Sequence, residues 1–379
     1  MEKTSLKAVK DVVGILIEHA KKVESSLQTE KKMRYFSTKE VCNFINRTTS
    51  TLYKAEEDGV IEKPEVNPDT GRRIGYTLEQ VNLLRDHFKI APKLKRNRPR
   101  EHLGITTALY NPKGGVGKTT TAVNIAQYCA LIGYKVLIID MDSQASTSAF
   151  FGTVGNGNFD EYDTMLSSTL YSEETTLDYA IRETHFDNLQ IIRATHHLSS
   201  SEFDVYNQVS SDDIDLVKYF QSLKVAIDSV KGNYDFIFLD APPSLGMNGL
   251  QTLLSVDNII IPCPPRMLDL VVTKQFLEIA TQLVDKHSSG KKFHSVKVMV
   301  SMYDLKKEES QKLMKIMPAV FGSHMYMNQM LYSESVVNAS AALQTVWETP
   351  KPDKHTTENM RMLFNEIICD LVVSNRTTI

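Results

Sequence analysis

The stretch from Tyr110 to Thr120 decides the fold, and it reads Tyr-Asn-Pro-Lys-Gly-Gly-Val-Gly-Lys-Thr-Thr. Its run of small residues lets successive backbone N–H groups converge on phosphate oxygens at the start of a helix. Lys118 adds a positive charge for the β- and γ-phosphates, and the Thr119 hydroxyl suits Mg²⁺. The ordinary phosphate-loop pattern requires glycine at position 112, where this chain has proline, and an additional lysine follows at Lys113. The sequence therefore predicts a phosphate loop of a particular subclass.

Short apolar segments alternate with helical stretches from residue 105 onward, which is typical of an α/β fold with a mostly parallel sheet. The candidate strands are 105–110, 135–140, 188–194, 234–240, 258–262 and 296–302. Ligands bind such sheets beyond the carboxyl ends of the strands. The phosphate loop follows the first strand, so we expect a P-loop nucleotide hydrolase with its site at that edge.

Two other strand ends carry carboxylates. Asp140 and Asp142 follow one apolar strand, and Asp240 ends another. Mg²⁺ needs oxygen ligands but keeps several waters, so the Thr119 hydroxyl and an outer-sphere Asp240 suffice for it. Asp142 can then orient a water for in-line attack on the γ-phosphate. A single Asp at a strand end favours a helix N-cap or a solvated loop, but two such ends after a phosphate loop predict nucleotide binding.

The chain of 379 residues has room for two or three domains, and we expect segments 1–30, 31–100 and 101–379. In segment 1–30 the sequence predicts an amphipathic helix with a heptad pattern of apolar residues, formed by Leu6, Val9, Val13, Leu16, Ala20, Val23 and Leu27. A 3.5-residue repeat keeps its apolar seam facing a partner helix, which favours dimerisation. Packing of this helix on its own domain is the alternative.

The second segment predicts a winged helix-turn-helix domain followed by a basic linker. Capping boxes at Ser37-x-x-Glu40 and Thr77-x-x-Gln80 start two helices, and a helix from about 49 to 58 lies between them. Residues 64–75 predict a hairpin. Residues 31–100 carry 16 Lys and Arg against 9 Asp and Glu, whereas residues 101–379 carry 22 against 32. A basic module joined to an acidic body suggests nucleic-acid binding by the basic part.

This order of elements resembles the winged helix-turn-helix of the MerR-like type. In such a module the second helix faces the major groove and the wing meets phosphate. The implied DNA-binding residues are Thr49, Ser50, Thr51, Tyr53, Lys54, Arg72 and Arg73. A protein–protein adaptor is the alternative, since winged helices also serve that purpose.

Three motifs together resemble the deviant-Walker ATPases of the ParA/MinD group. They are residues 111–119, residues 140–144 (Asp-Met-Asp-Ser-Gln) and residues 239–243 (Leu-Asp-Ala-Pro-Pro). The heptad helix and the winged helix extend the resemblance to the large ParA proteins of plasmid or chromosome partition. The resemblance covers nearly the whole chain.

The resemblance implies a role for each matching position. Lys113 is the signature lysine that crosses an ATP-sandwiched dimer to the partner's nucleotide, and Lys118 is its companion in the loop. Asp142 positions the attacking water with Asp140 beside it, while the metal candidates are Thr119, Asp240 and Asp142. The implied nucleotide-binding residues are Lys113, Gly114, Gly115, Val116, Gly117, Lys118, Thr119 and Thr120, with Pro262, Pro264 and Pro265 at the adenine pocket.

Such a protein is expected to use ATP/ADP and Mg²⁺, to form an ATP-dependent homodimer on nonspecific DNA, and to hydrolyse ATP slowly. A ParB-like centromere-binding protein would stimulate hydrolysis, and the winged helix would repress the chain's own operon. The resemblance also implies a cytoplasmic, nucleoid-associated protein. No stretch approaches the roughly 18 apolar residues of a membrane span, so we expect no membrane partner.

Three alternatives remain open. A MinD-like membrane-cycling regulator needs a basic amphipathic C-terminal helix, but Arg361 is the one basic residue in the stretch 359–369. An electron-transfer ATPase similar to nitrogenase iron protein needs paired cysteines, and Cys129 and Cys263 lack that setting. A nucleotide-responsive repressor without a partition role would share the winged helix.

Overall fold

A seven-stranded sheet forms the centre of the protein. The computed structural model describes residue 10 and residues 13–15, 31–90, 104–152, 163–170, 176–210, 215–288 and 290–375. The strands are β1 Ile105–Leu109, β2 Val136–Asp140, β3 Ile181–Glu183, β4 Leu189–Ile192, β5 Phe236–Asp240, β6 Asn258–Cys263 and β7 Ser295–Val300. Their order in the sheet is β3-β4-β2-β5-β1-β6-β7, and only β3 is antiparallel to its neighbour. The predicted mostly parallel α/β fold is confirmed.

All six predicted strands are present, with ends shifted by two residues or fewer. The additional strand is β3, a three-residue edge strand without a fully buried position. It is too short and too exposed to produce the apolar run by which the other strands were predicted.

Helices cover both faces of the sheet. In chain order they are α1 Thr38–Ile45, α2 Thr49–Glu57, α3 Leu78–His87, α4 Lys118–Leu131, α5 Ser146–Phe150, α6 Leu166–Thr169, α7 His197–Ser210, α8 Leu216–Val230, α9 Met247–Ser255, α10 Met267–His287, α11 Glu308–Phe321, α12 Glu334–Ala341 and α13 Lys354–Ser374. Ile138 and Phe238 point into a core shared with α4, α13 and the N-terminal helices α1–α3. Leu137 and Leu239 point to the opposite face, under α7–α10. This alternation follows from the two-residue period of a strand.

The N-terminal segment contains three helices and a hairpin. The Ser37–Glu40 and Thr77–Gln80 capping boxes are both formed, as predicted. The hairpin joins Val66 to Arg73, and its extended return leads into α3. Of the predicted heptad helix, only Lys10 and residues 13–15 are described, and they are helical. The rest of that helix and residues 91–103 of the basic linker lie outside the described residues, so both predictions stay open.

Arg85 of α3 joins the N-terminal segment to the sheet domain. Its Nη2 donates a 2.7 Å hydrogen bond to the carbonyl of Leu131, the last residue of α4. The side chain is buried, and burial lowers the pKa of Arg85 to about 10, a value that keeps the guanidinium charged at neutral pH. A cation at a helix C-terminus interacts favourably with the helix dipole. Arg85 therefore caps the end of α4.

A second set of polar contacts centres on the buried carboxylate of Glu348. His185 Nε2 lies 2.7 Å from Oε1, and the Nζ of Lys31 lies 3.8 Å from the same oxygen. Oε2 accepts hydrogen bonds from the Thr345 N–H at 2.7 Å and from Gln127 of α4 at 3.2 Å. The Glu348 cluster therefore ties the start of the N-terminal segment to α4 and to the turn between β3 and β4.

Helix α13 packs against the sheet. It contains the stretch 359–369, whose apolar side chains Met360, Leu363, Phe364, Ile367 and Ile368 are buried. The apolar face that a MinD-like membrane helix would need is therefore part of the core.

Within the described ranges, no helix is long and apolar enough to cross a membrane.

Candidate active site

The phosphate loop connects β1 to α4 and presents an open backbone. Gly115 and Gly117 have φ values of 72° and 91°, a region that favours glycine, and Gly117 is the N-cap of α4. A Cβ added at Gly114 or Gly115 would have no atom within 4 Å. The loop therefore leaves room for a ligand at the start of a 14-residue helix, where N–H groups and the helix dipole favour an anion.

Two buried side chains hold the loop in this shape. Asn111 donates from Nδ2 to the Pro262 carbonyl at 2.9 Å, and its Oδ1 accepts from the Lys113 N–H at 3.0 Å. Ser301, just after β7, donates to the Val116 carbonyl at 2.7 Å. The Ser301 contact was not predicted, because its partner is 185 residues away in the chain.

The register of the sheet brings the two predicted strand-end carboxylates together. Asp140 of β2 is paired directly with Asp240 of β5, and Asp240 is also opposite Leu109 at the end of β1. Both carboxylates are buried. Burial raises the pKa of each carboxyl, and the neighbouring Asp240 raises that of Asp140 further. The pair therefore carries negative charge only at a considerable electrostatic cost.

Asp240 accepts hydrogen bonds through one oxygen only. Its Oδ2 accepts from Thr119 at 2.7 Å and from Thr147 of α5 at 2.8 Å. Its Oδ1 has no hydrogen-bond partner among the described residues, although it is buried. This buried oxygen therefore accepts no hydrogen bond from the described residues, and it belongs to a carboxylate that lies next to the Thr119 hydroxyl. Hard divalent cations prefer oxygen groups of these kinds. These residues fit Mg²⁺.

Asp140 is held by α5 and by the backbone of Asp142. Its Oδ2 accepts from the N–H and the hydroxyl of Ser148 at 2.8 and 2.7 Å, and its Oδ1 accepts from the Asp142 N–H at 3.2 Å. Asp140 therefore fixes the backbone that carries Asp142. Thr147 and Ser148 were not predicted, since hydroxyls in a short polar helix give no distinctive sequence signal.

Lys118 and Asp142 complete the predicted set. Lys118 is buried, and burial lowers the pKa of its ammonium group while the charges of Asp240 and Asp142 oppose that change. The carboxylate of Asp142 is partly exposed and accepts the Gln144 N–H at 3.0 Å. The structure therefore brings Lys118, Thr119, Asp140, Asp142 and Asp240 to one edge of the sheet.

Lys113 forms a contact that the sequence did not indicate. Its Nζ lies 2.9 Å from Oδ1 of Asp269, in the first turn of α10, and the Asp269 side chain is only 2% exposed. The other oxygen of Asp269 has no partner among the described residues. The sequence could have indicated Asp269 in one way: it follows the carboxyl end of β6, at the edge of the sheet where the phosphate loop also lies.

The predicted adenine residues are mostly inaccessible. Pro262, Pro264 and Pro265 are buried, and the Pro262 carbonyl holds Asn111. An open cavity of about 520 Å³ lies beyond the end of β7, and its lining includes Tyr303, Leu305, Leu331 and Tyr332. Its volume is within the range of small-molecule sites.

The residues predicted to bind DNA lie on α2 and the hairpin. Thr49, Ser50, Tyr53, Lys54 and Arg72 are exposed, and Thr51 is half-buried. Arg73 differs from Arg72, because its Nη1 lies 2.7 Å from the buried carboxylate of Glu56.

Comparison with known proteins agrees with the motifs. A family model described as an AAA domain matches residues 105–295. The chromosome-partitioning ATPase Soj of Treponema pallidum is 30% identical over 226 residues, which cover 59% of this chain and 81% of Soj. Protein SopA of Escherichia coli strain K12 is 26% identical over 354 residues, or 92% of this chain and 89% of SopA.

The similarity extends to a solved structure of a protein named Partition Protein. It covers 97% of this chain and 99% of its own length, with a TM-score of 0.66 and 17% identity. At that identity the match shows a shared fold, and it includes the N-terminal segment as well as the sheet.

Proposed function

The chain belongs to the ParA family of partition ATPases, and from this premise we propose that it binds Mg²⁺ and ATP at the phosphate loop and hydrolyses ATP slowly to control dimerisation and DNA binding. One observation carries the proposal: the sheet register sets Asp140 and Asp240 beside Thr119, at the open start of α4. The resemblance of the motifs and the partition functions named for the relatives support it.

Thr119 would bind the cation through its hydroxyl, and Asp240 would support it from the outer sphere, because its buried carboxylate has one oxygen without a partner among the described residues. When bound, Mg²⁺ neutralises charge on the β- and γ-phosphate oxygens. Lys118 adds a second positive charge from the loop itself. Burial makes both charges more effective, since their interaction with phosphate is less screened than in water.

Asp142 is the residue proposed to orient the attacking water. Its backbone is fixed through Asp140 and Ser148, so its carboxylate is placed by the sheet rather than by a free loop. In-line attack depends mainly on positioning and on charge neutralisation. A carboxylate that only orients water is consistent with slow intrinsic turnover.

Lys113 is the residue proposed to act in the partner's site. In the single chain its ammonium group is paired with Asp269, so it has to leave that carboxylate before it can reach a nucleotide across a dimer. Pro262, Pro264 and Pro265 are still proposed to lie near the adenine base. The cavity beyond β7 is the second candidate for the base, because it is open whereas the prolines are buried.

Binding of operator DNA through α2 and the hairpin, coating of nonspecific DNA by an ATP-bound dimer, and stimulation by a ParB-like protein complete the proposal. The resemblance and the basic character of residues 31–100 support these steps. A basic surface binds DNA phosphates with strong salt dependence.

Lys118→Ala and Lys113→Gln test the two lysine roles against each other. We expect Lys118→Ala to abolish ATP binding, since it removes the buried charge of the loop. Lys113→Gln should retain ATP binding but lose ATP-dependent dimerisation, DNA retention and turnover. Titration with a fluorescent ATP analogue, light scattering and DNA pull-down measure the three properties, with the exposed Lys315→Ala as a control.

Two outcomes would contradict the proposal. If Lys113→Gln lost ATP affinity as completely as Lys118→Ala, the trans role of Lys113 would be wrong. If Lys118→Ala retained DNA in the presence of ATP as the wild type does, nucleotide control of DNA binding would be wrong.

A further inference from the structure

Glu56, near the end of α2, has a buried carboxylate. Its side chain is 2% exposed, although glutamate is almost never buried without a partner. Oε1 accepts a 2.7 Å hydrogen bond from Arg73 Nη1 and a 2.6 Å bond from the Tyr76 hydroxyl. Arg73 Nη1 also lies 3.1 Å from the Tyr76 oxygen. Three side chains, from α2, the hairpin and the extended residues just before α3, thus meet at one point.

The two hydrogen-bond donors to Glu56 keep their protons. The hydrogen bond and the charge of Glu56 raise the pKa of Arg73. Burial, and secondly the hydrogen bond to Glu56, raise the pKa of Tyr76. Both groups therefore stay protonated and keep donating over the ordinary pH range. Hydrogen bonds in which a partner is charged are roughly twice as strong as neutral ones.

Arg73 also packs on the helix that is predicted to enter the major groove. Its guanidinium carbon lies 4.5 Å from the centre of the Tyr53 ring, a cation–π arrangement. The backbone of Arg73 pairs with Val66 across the hairpin. One side chain therefore connects the hairpin to α2 and places the Tyr53 ring.

Arg72 is arranged differently, although it is the adjacent residue. Successive side chains of an extended segment point to opposite faces. Arg72 is exposed, as is Lys54 on α2. Arg73 is exposed too, with 37% of its side chain accessible, but its Nη1 is held 2.7 Å from the Glu56 carboxylate.

We propose that Arg73, held by Glu56 and Tyr76, is a positioning residue that sets the hairpin and Tyr53 against DNA, and that Arg72 and Lys54 make the phosphate contacts. This inference rests on the proposed DNA binding of the N-terminal segment. It reassigns Arg73, which the sequence alone placed among the phosphate contacts.

Salt dependence of DNA binding separates the two roles. A lysine or arginine that neutralises a phosphate contributes about 0.9 to the slope of log affinity against log salt concentration. The full-length chain is titrated, without nucleotide, into a fluorescent duplex of its own upstream intergenic DNA at several salt concentrations. We expect Arg72→Gln to lower the slope by about 0.9. Arg73→Gln should weaken binding about tenfold, which corresponds to the loss of one hydrogen bond to a charged group, and leave the slope unchanged.

A double-mutant cycle adds a readout that a general loss of stability would not give. Glu56→Gln should reproduce the weakened binding of Arg73→Gln, and the double variant should be no weaker than the worse single one, because both remove the same contact. ATP turnover reports that each variant is folded. A slope lowered as much by Arg73→Gln as by Arg72→Gln, or additive losses in the double variant, would overturn the inference.

Limited proteolysis of the hairpin tests the positioning role of Arg73 in the absence of DNA. The positioning role predicts faster cleavage within residues 64–75 for Glu56→Gln and Arg73→Gln, but not for Arg72→Gln. Equal cleavage in all three variants overturns it. If the wild type bound no duplex at all, the proposed DNA binding would fail, while the cleavage pattern would still decide whether Arg73 positions the hairpin.

Discussion

Asp240 and Glu348 are both buried carboxylates, but their surroundings differ. Asp240 lies beside Asp140, and its Oδ1 has no partner among the described residues. Burial raises the pKa of Asp240. Burial alone would also raise the pKa of Glu348, but the contact with His185 and the charges of His185 and Lys31 outweigh it and lower that pKa. The protein therefore satisfies one buried carboxylate fully and leaves the other incomplete.

This difference separates a structural carboxylate, Glu348, from the carboxylate proposed to support a cation, Asp240. A buried charge is stable when hydrogen bonds and opposite charges surround it, as they do around Glu348. Asp240 is compensated only in part, by the hydroxyls of Thr119 and Thr147 and by the charge of Lys118, and the proposed divalent cation would supply the rest. Stability and activity should therefore respond in opposite ways to removal of the two charges.

The largest effect is expected for Glu348→Gln. Removing this charge leaves Lys31 and His185 without their acid partner, and breaking a buried pair costs about 3–5 kcal/mol. We expect the free energy of unfolding to fall by about 3 kcal/mol. Urea denaturation followed by circular dichroism measures it, and the exposed Glu358→Gln is the matched control. Equal stability of the two variants would remove the distinction drawn above.

The next effect is expected for Asp240→Asn, and it concerns activity. Residues that support a metal from outside its first shell typically contribute about 10- to 100-fold to metal affinity or activity. We expect ATP turnover to fall by about that factor, with unchanged or higher stability, because an uncompensated buried charge is removed. Phosphate release at varied Mg²⁺ concentrations measures turnover, with Asp285→Asn as the exposed control. A marked loss of stability would show that Asp240 is structural.

The smallest effect is a pH dependence of the Glu348 contribution. Because the folded pKa of Glu348 is lowered, its stabilisation is present above the ordinary value of 4.5 and is lost as pH falls through the folded pKa. The stability difference between the wild type and Glu348→Gln should shrink by about 1.4 kcal/mol for each pKa unit of the shift. Urea denaturation at pH 7 and below pH 4.5 measures it. A constant difference across that range would contradict the lowered pKa.

The part of the fold that repeats a local pattern was predictable from sequence. Strands β1, β2, β5 and β6 are short apolar runs, and the capping boxes at Ser37 and Thr77 mark helix starts. The strand-end rule placed Asp140 and Asp240 near the phosphate loop before their register was known. Edge strand β3 was missed because three partly exposed residues carry no periodicity.

The partners of the predicted residues were not predictable. Asp269 lies 156 positions from Lys113, and Glu348 lies 163 positions from His185, so each pair is created by the fold. Thr147 and Ser148 reach the carboxylates only because α5 turns back over β2 and β5. Arg73 was placed with Arg72 because sequence shows charge but not which charge already has a partner.

Helix α4 has a mechanical consequence that follows from its two ends. Its 14 residues form a rod about 20 Å long, with the phosphate loop at one end and the Arg85 contact at the other. A tilt of about 5° at the loop would displace the Leu131 carbonyl by about 2 Å over that length. A displacement of that size exceeds what a 2.7 Å hydrogen bond can absorb, so α3 would have to follow. Helix α4 would thus act as a lever that carries a tilt at the phosphate loop to the N-terminal segment.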